Sequence, residues 1–350
     1  MDKSKTIDSY NLLEILNKIL ESKTYEDISR DMNISVGTVK RWVELKRVPA
    51  SYIFELLKLC NIDVDYSKFT YKEKDQFFTP KQTAQYCYSK FIDIIKQYGD
   101  DGDDYTYIEP SAGNGVFLGL FPKDRRIGLD IEPRLNEIQK QDYLEWKPVG
   151  NKRYVVVGNP PFGLRGQLAL KFINHSSEFS DYVSFILPQL FESDGKGAPR
   201  KRVKGMNLIH TEKLHSTFES PDGKDIRVEC IFQIWSKFHK NDRYMIHKND
   251  NDIIKIYSVS DGGTPSTTRN KKMFDKCDAY IPSTCFGKHN MKYYSNFETL
   301  PGKKGYGIVF SENKEGYIDM CKNIDWSSVA FLSTNSAYNL RSSHILKQFT

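Results

Sequence analysis

Apolar side chains in the first sixty residues recur at the spacing of a helix. Between Leu12 and Leu20 they lie three or four residues apart, which predicts a helix with Asp8 as its N-cap. The same reasoning predicts three further short helices, over residues 24–32, 36–42 and 51–60. Because only three residues separate the second helix from the third, we predict a helix-turn-helix bundle over residues 1–65.

The third of these helices has a polar face. Thr38, Lys40 and Arg41 point away from its apolar positions, where the recognition helix of a helix-turn-helix contacts DNA. Glu26 and Asp27 on the preceding helix would repel phosphate groups. The face therefore has two interpretations, a DNA-binding surface and a solvated helical cap.

After a polar stretch at residues 63–74, short buried strands alternate with helices. Strands are predicted over residues 105–108, 126–130, 154–158, 182–187 and 228–235, and helices over residues 81–98, 115–121, 133–139 and 167–176. This alternation implies a doubly wound α/β sheet, which binds ligands at the carboxyl ends of its strands. The turn at residues 221–223 predicts an antiparallel hairpin at the sheet edge.

From residue 245 onward, short aromatic runs and glycines predict a separate C-terminal unit of mixed or β character. The predicted organisation is therefore a helical domain at residues 1–65, an α/β domain at residues 66–244 and a C-terminal domain at residues 245–350.

Composition narrows the class of protein. The 350 residues are 39% hydrophobic and 27% charged, which excludes a disordered chain and a small disulfide-stapled one. Unbroken apolar runs are far shorter than the roughly 18 residues of a membrane span, and no secretory signal follows Met1. The six cysteines lack zinc-ligand spacing. We therefore expect a cytoplasmic protein with reduced thiols, no membrane partner and no metal.

The net charge of +6 is unevenly distributed. Residues 1–65 carry 10 basic and 11 acidic side chains, whereas residues 260–350 carry 12 basic and 8 acidic ones. A charge this small allows nucleic-acid binding without requiring it. Its concentration late in the chain points to the C-terminal unit as the place where a polyanion would bind.

The first candidate site follows the first predicted strand. Gly113 and Gly115 let a ligand approach the backbone, but Leu118 stands where a dinucleotide-binding motif has a third glycine, so these residues leave the cofactor open. Asp130, at the end of the next strand, is placed to accept both hydroxyls of a ribose. Asp142 can accept from the amine of an adenine. Together they predict an adenosine-containing ligand.

The second candidate site is Asn159-Pro160-Pro161-Phe162, directly after a predicted buried strand. The prolines fix the backbone, so that the Asn159 side-chain oxygen and the Pro160 carbonyl converge on one point. Two acceptors at one point suit an NH2 group, and Phe162 offers a flat face for stacking a base. The alternative is a rigid turn with a core aromatic residue.

In combination, these motifs resemble a known family. Asn159 to Phe162 behind the glycine motif is similar to the S-adenosylmethionine-dependent amino methyltransferases. Phe77-Phe78-Thr79-Pro80 matches the Phe-x-Thr-Pro element of adenine-N6 DNA methyltransferases, and the order of the motifs is that of the gamma-type (TaqI-like and EcoRI-like) enzymes. The resemblance covers about residues 75–236 and does not extend to the helical domain.

The resemblance implies a class I methyltransferase (Rossmann-like) mixed sheet followed by a C-terminal target-recognition unit. It implies a site-specific enzyme that methylates N6 of a flipped-out adenine in double-stranded DNA, with S-adenosylmethionine as cofactor, S-adenosylhomocysteine as product and no metal. The catalytic residues would be Asn159, Pro160, Pro161 and Phe162. The cofactor would contact Phe78, Thr79, Pro80, Glu109, Ala112, Gly113, Gly115, Asp130, Ile131, Asp142 and Tyr143.

Candidate DNA contacts follow from position and charge. Phe218 is the candidate for a second aromatic wall of the base pocket, with an ordinary core phenylalanine as the alternative. A basic run after the fifth strand is a candidate phosphate grip, through Lys196, Arg200, Lys201 and Arg202.

Two other functions use the same features. One is methylation of RNA or of a protein glutamine, and the other is a non-catalytic DNA-binding regulator with a methylase fold. A restriction-modification role, with a cognate restriction endonuclease as partner, and an orphan epigenetic mark are both open. The oligomeric state is also open between a monomer and a dimer. The source is open between the prokaryotic cytosol or nucleoid and a virus or phage.

Overall fold

The N-terminal residues form a helical bundle. The structure is a computed structural model that describes residues 10–32, 34–150, 152–193, 198–244, 253–264, 267–332 and 336–349. The bundle contains α1 (Leu12–Leu20), α2 (Tyr25–Met32), α3 (Val36–Glu44) and α4 (Ile53–Leu59). Leu16, Ile28, Val39 and Leu56 are fully buried in its core.

Side-chain caps set where these helices begin. Asn11 Oδ1 accepts from the backbone N–H of Glu14 at 3.3 Å and so caps α1, while Asp8 lies outside the described residues. Thr24 and Asp27 cap α2 reciprocally, each side chain accepting from the backbone N–H of the other at 3.1 Å. Ser35 caps α3. The turn between α2 and α3 is therefore defined by local sequence.

The central unit is a seven-stranded mixed sheet. Its elements are α5 (Lys81–Lys96), β1 (Tyr105–Glu109), β2 (Arg126–Asp130), β3 (Ile138–Lys140), β4 (Arg153–Gly158), α6 (Gln167–Ser176), β5 (Tyr182–Pro188), β6 (Asn207–Glu219) and β7 (Asp225–Ser236). The strand order is β3-β2-β1-β4-β5-β7-β6, and β7 is antiparallel to both of its neighbours while the other pairs are parallel. This order is that of the class I methyltransferase (Rossmann-like) fold, so the predicted fold class is confirmed.

The parallel strands β1 and β4 lie in the middle of the sheet, and both of their faces are covered. Every residue of β1 is buried, as is every residue of β4 after Arg153. One apolar cluster packs α5 on one face, and a second packs α6 on the other. A strand covered on both sides reads as a continuous apolar run, which is why sequence alone locates β1, β4 and β5.

Two predicted helices of this unit are wrong. Residues 115–121 contain only a single 3-10 turn, at Leu118–Leu120, because Gly115 adopts a φ of +74° that an α-helix does not accept. Residues 133–139 do not form a helix, because β3 pairs with β2 through Gly128 and Ile138. Tertiary pairing overrides a weak local preference at this point.

The C-terminal unit has its own hydrophobic core. It contains β8 (Ile254–Ser260), β9 (Ala279–Pro282), β10 (Thr284–Phe286), β11 (Lys304–Phe310), α7 (Lys314–Asn323), α8 (Trp326–Val329), β12 (Phe331–Leu332), β13 (Ala337–Asn339) and α9 (Ser342–Leu346). The strands form two three-stranded sheets, in the orders β8-β11-β9 and β10-β13-β12. Trp326 is fully buried between them and the helices.

This unit contacts the segment that follows β5. The backbone N–H of Leu332 donates to Gln189 Oε1 at 2.9 Å, and Arg341 Nε donates to the Ser193 hydroxyl at 3.1 Å. The carboxyl ends of the parallel strands and the C-terminal unit therefore lie on the same side of the molecule.

Candidate active site

Two adjoining cavities lie where β1, β2 and β4 end. The glycine-loop cavity is lined by Phe78, Thr79, Glu109, Ala112, Gly113, Asp130, Ile131 and Pro161. The aromatic cavity is lined by Pro160, Phe162, Phe218, Val228 and Cys230, among others. Asp75, Phe77 and Asn159 line both cavities. Most of the predicted cofactor residues and all four predicted catalytic residues are thus brought together.

The glycine turn is tied to the end of β2. Gly113 has a φ of +51°, and a Cβ there would lie 3.2 Å from the Phe78 ring. The Asp130 carboxylate accepts from the backbone N–H of Gly113 at 2.7 Å and from that of Glu132 at 2.8 Å. Each carboxylate oxygen keeps a lone pair for a further donor, such as a hydroxyl. The turn therefore presents open backbone beside an oriented carboxylate.

Glu109 supports the same turn from beneath. Its side chain is 2% exposed, and Oε2 accepts from the backbone N–H of Leu118 at 2.6 Å. Burial raises the pKa of this carboxyl well above its usual range, although the N–H groups of Phe117 and Leu118 oppose the shift. Glu109 therefore lies in the wall of the cavity and also fixes the backbone that follows it.

Part of the predicted cofactor region is covered by the segment after β2. The Arg134 guanidinium lies 4.6 Å from the centre of the Phe78 ring. Leu135 lies over Gly115, where an added Cβ would come within 2.7 Å of it. The glycine-loop cavity has a volume of about 100 Å³, below the roughly 300 Å³ at which small-molecule pockets begin.

Asn159 lies at the boundary between the two cavities. Its Nδ2 donates to the Thr79 hydroxyl at 3.2 Å, and its backbone carbonyl accepts from the Ser111 hydroxyl at 3.1 Å. Its Oδ1 is buried and has no hydrogen-bond partner among the described residues. A buried acceptor without a donor is costly, so an incoming N–H group would stabilise this site.

The aromatic cavity has a volume of about 350 Å³, within the range of small-molecule pockets. Phe162 and Phe218 both line it, the latter only 2% exposed. Phe78 and Glu219 exchange backbone hydrogen bonds of 2.7 and 2.9 Å, and this pairing joins the Phe-Thr-Pro segment to the end of β6. Phe218, proposed from its position before a turn, therefore lines the same cavity as Asn159 and also belongs to the buried core of the sheet.

A third cavity, the outer cavity, adjoins the glycine-loop cavity through Ile131 and Glu132 and also contains Asp142. Asp142 Oδ1 accepts from the backbone N–H of Leu144, and Oδ2 accepts from Lys58 Nζ, both at 2.9 Å. Lys58 belongs to α4 of the helical bundle and is 84 residues away in sequence. The sequence did not indicate the role of Lys58, because no local pattern predicts a contact between residues 84 positions apart.

Three predicted cofactor residues line none of these cavities. Tyr143 is 1% exposed and packs against Phe172, with its hydroxyl bonded to that of Ser176 at 2.7 Å. It therefore has no free face for an adenine, and that prediction is corrected. Pro80 precedes α5, and Gly115 is covered by Leu135, so both stand behind the cavity wall.

The basic run after β5 is only partly available to a phosphate. The Arg200 guanidinium donates to the Tyr244 carbonyl, and Arg202 Nη1 donates to Gln167 Oε1 at 3.2 Å. Burial also lowers the pKa of Arg202. At least one donor of each arginine is therefore bonded within the protein, and their assignment as phosphate ligands stays a prediction. Lys201 is exposed, and Lys196 lies outside the described residues.

The polar face of α3 is open to solvent. Lys40 and Arg41 are exposed, whereas the Thr38 hydroxyl is hydrogen bonded to that of Ser35 at 2.8 Å. Two of the three acidic residues of α2 are paired, Asp27 with Arg30 at 2.5 Å and Asp31 with Lys23 at 2.7 Å, while Glu26 is exposed. These ion pairs reduce the repulsion of phosphate that the sequence suggested.

Within the part of the chain that the structure describes, no helix is long and apolar enough to cross a bilayer. Among the same residues, no group of three or more histidine, cysteine, aspartate or glutamate side chains is arranged to hold a metal ion.

Comparison with known proteins gives only weak similarities. No protein-family model and no curated protein sequence matches the chain. Among solved structures, it is similar to a Pyrococcus horikoshii protein provisionally named an RNA methyltransferase, at 19% identity and a TM-score of 0.34, over 46% of this chain and 86% of that one. It is also similar to the 23S rRNA methyltransferase ErmE, at 14% identity and a TM-score of 0.32, over 49% and 73% of the two chains.

A third similar structure is the modification subunit of a provisionally named type I restriction enzyme from Vibrio vulnificus, at 12% identity and a TM-score of 0.33, over 69% of this chain and 60% of that one. TM-scores this low carry no argument. The fold assignment therefore rests on the strand order, and the site rests on its own geometry.

Proposed function

We propose that this chain is a site-specific DNA methyltransferase that transfers a methyl group from S-adenosylmethionine to N6 of a flipped-out adenine in double-stranded DNA. The observation that carries the proposal is the buried, unpartnered Oδ1 of Asn159 between a glycine-loop cavity and an aromatic cavity. An exocyclic amine bound there would satisfy this acceptor.

The residues of the glycine-loop cavity and of the adjoining outer cavity fit the cofactor in chemical type. Gly113 leaves the backbone accessible, Asp130 can accept from a ribose diol, and Asp142 can accept from an adenine amine. When bound, S-adenosylmethionine supplies an electrophilic methyl group on its sulfonium.

The chain's own contribution to transfer is alignment. Asn159 Oδ1 and the Pro160 carbonyl would accept the two N–H bonds of the target amine and hold its lone pair toward the methyl group. Phe162 and Phe218 would enclose the flipped base. Unstacking a base costs a few kcal/mol, and stacking on an aromatic side chain recovers about 1–3 kcal/mol. The proton leaves after the methyl group has transferred.

The position of the C-terminal unit favours a large substrate such as DNA. Leu332 and Ser336 line the aromatic cavity beside Asn159, so this unit forms part of the opening through which a target would enter. A protein glutamine has no evident use for a basic C-terminal unit or for the exposed face of α3. These features favour DNA over a protein substrate, and a cognate restriction endonuclease is a partner consistent with that role.

The test is transfer of tritium from labelled S-adenosylmethionine into DNA, RNA and a glutamine-containing peptide. We expect transfer into DNA alone, and a loss of about 100-fold or more in Asn159→Ala, the size seen when one oriented polar group at a reacting centre is removed. Asn241→Ala is the matched control, because Asn241 bonds to Tyr98 and Ile209 outside the three cavities.

Each other outcome selects an alternative. Transfer into RNA or peptide but not DNA would replace the proposed substrate. Absence of cofactor binding in calorimetry would favour a non-catalytic DNA-binding regulator. Sequencing of the methylated DNA would report both the modified base and its surrounding sequence.

A further inference from the structure

Asp75 lies between the glycine-loop cavity and the aromatic cavity and lines both, as Asn159 does. Neither its sequence context nor any motif marks it as functional. It stands three residues before Phe78 and shares the segment that supplies Thr79. Its place in the walls of both cavities raises the question of what its carboxyl does there.

The carboxyl is bonded to the loop that follows Phe162. Asp75 Oδ2 accepts from the backbone N–H of Gly163 at 2.7 Å, across 88 residues of sequence. The Phe162 carbonyl in turn accepts from the N–H groups of Leu168 and Ala169, at 3.1 and 3.2 Å. The backbone on the C-terminal side of the Phe162 ring is therefore held by Asp75 at one end and by the start of α6 at the other.

The loop needs such an anchor because it turns sharply. Gly163 has a φ of +64°, and a Cβ at this position would lie 2.6 Å from that of Leu168. Arg165 also adopts a left-handed φ, of +54°. Backbone in this region is sparsely populated and persists only where surrounding contacts fix it. The bond from Asp75 is one such contact.

Asp75 is itself held in an unfavourable conformation. Its φ is +53°, a region that residues other than glycine seldom adopt. The chain on either side is fixed, since Lys74 pairs with Glu132 at 2.6 Å and the Gln76 N–H donates to the Tyr71 carbonyl at 2.8 Å. Strain of this kind concentrates at functional sites.

The charge of Asp75 is also unfavourable. Burial raises the pKa of its carboxyl, and the backbone N–H groups of Gly163 and Phe162 oppose that shift. No lysine, arginine or histidine among the described residues forms an ion pair with it. A half-buried acid with a left-handed φ and no ion-pair partner among the described residues, in the wall of a substrate cavity, is costly to keep, which marks it as a functional candidate.

We infer that Asp75 is a positioning residue for methyl transfer: by accepting from the Gly163 N–H, its carboxyl holds Phe162 against the target base in line with Asn159. This inference rests on the proposed function. It differs from a role as proton acceptor, in which the same carboxyl would take the proton released by the methylated amine. A side-chain amide preserves the first role and removes the second.

The experiment compares Asp75→Asn with Asp75→Ala in the full-length protein. Asparagine keeps an oxygen that can accept from Gly163, so its kcat should stay within about threefold of the wild type. Alanine removes the anchor, and kcat should fall about 10- to 100-fold, because a displacement of about 1 Å at an aligned site has an effect of that size. The Kd for S-adenosylmethionine should change less than about twofold in either variant.

Glu73 supplies the matched control. Its carboxylate accepts from the backbone N–H and hydroxyl of Thr70, at 2.6 and 2.8 Å, and it lines none of the three cavities. Glu73→Ala and Glu73→Gln should leave kcat within about twofold of the wild type. Asp75→Gly tests folding, since glycine accepts the left-handed φ. It should be more stable than Asp75→Ala and equally impaired in transfer.

Amide hydrogen exchange tests the anchor without any methylation assay. A peptide spanning residues 159–168 should exchange faster in Asp75→Ala than in the wild type and at an unchanged rate in Asp75→Asn. Equal exchange in all three proteins would overturn the inference, and so would loss of activity in Asp75→Asn as large as in Asp75→Ala. A wild type that binds cofactor but methylates no DNA would contradict the proposed function, while the exchange data would still decide whether Asp75 anchors the loop.

Discussion

Three carboxylates that line the glycine-loop cavity also accept hydrogen bonds from the protein backbone. Glu109, Asp130 and Asp75 each accept from a backbone N–H that follows a strand or a motif, at distances of 2.6 to 2.7 Å. Sequence reasoning assigned the first two to the cofactor. It did not anticipate that the same carboxylates fix the turns that form the cavity.

Glu109 gives a prediction about pH. Its pKa is raised by burial, so the folded state holds the proton more tightly than the unfolded chain does. The stability it contributes is therefore complete below the usual glutamate pKa of about 4.3 and declines as pH rises toward the raised value. Glu109→Gln removes this dependence. We expect the melting temperature of the wild type to fall relative to that of the variant as the pH rises from about 4.3 into the neutral range.

Thermal melts at intervals across that range are the measurement. Glu44→Gln on the exposed end of α3 is the control and should follow the wild type at every pH. Parallel melting curves for Glu109→Gln and the wild type would contradict the assigned direction of the shift.

At the scale of elements, α4 of the helical bundle is connected to the sheet. Lys58 on α4 contacts Asp142 and Glu145, both at 2.9 Å, beside the outer cavity. Residues Asp63 to Ser67, which join the bundle to the sheet, line that cavity as well. The helical bundle and the residues after it therefore form part of the wall of the outer cavity, where the cofactor adenine is proposed to bind. The family resemblance does not extend to the bundle and gave no indication of this contribution.

Lys58→Met tests this connection. Without the ammonium group, Asp142 and Glu145 repel each other and Asp142 is less well oriented toward an adenine amine. Because the lysine side chain is 55% exposed, the pair is worth at most about 1 kcal/mol. We expect the calorimetric Kd for S-adenosylmethionine to rise about two- to fivefold.

Binding of an analogue without the adenine amine separates orientation from folding. Its Kd should be unchanged in Lys58→Met, because it offers Asp142 no donor. Lys18→Met, at an exposed position of α1, is the control for loss of a charge from the bundle. Equal weakening of both ligands would show that Lys58 supports only the fold.

Elements differ in how far local sequence defines them. The buried parallel strands were predicted almost to the residue, because a strand covered on both faces needs a continuous apolar run. The predicted helix at residues 133–139 was wrong, because β3 exists only through its pairing with Gly128 to Asp130. A three-residue strand carries too little pattern of its own to be recognised.

At the scale of the whole molecule, two separate surfaces carry the positive charge that a polyanion would bind. One is the exposed face of α3 in the helical bundle, and the other is the basic C-terminal unit. The two arginines of the loop after β5 donate hydrogen bonds within the protein. We expect both outer units to contribute to DNA affinity and the C-terminal unit to contribute to target choice, because Leu332 and Ser336 reach the aromatic cavity.

The double substitution Lys40→Ala and Arg41→Ala tests the first part of this expectation. Each lost phosphate contact should reduce the slope of log affinity against log salt by about 0.9. We therefore expect weaker DNA binding with a slope smaller by up to about 2, and an unchanged methylated sequence. Lys96→Ala, at an exposed position of α5, is the control. An altered methylated sequence would assign target reading to the helical bundle instead.

The sequence by itself determined the features that are local. The glycine turn, the Asn-Pro-Pro-Phe segment, the buried strands and the short helices each have their cause within a few consecutive residues. Their alternation along the chain implied a doubly wound sheet, and the family resemblance implied its class I form, which the strand order confirms. These predictions succeeded because the hydrophobic pattern of a short segment indicates both its backbone conformation and which of its faces is buried.

Only the tertiary structure decided which side chains meet. Asp75 with Gly163, Lys58 with Asp142 and Phe218 with Asn159 are brought together across long separations. It also removed Tyr143 from the site that the sequence had assigned to it. Contacts of this kind depend on which faces of the sheet and loops pack together, and no periodicity along a single chain encodes that choice.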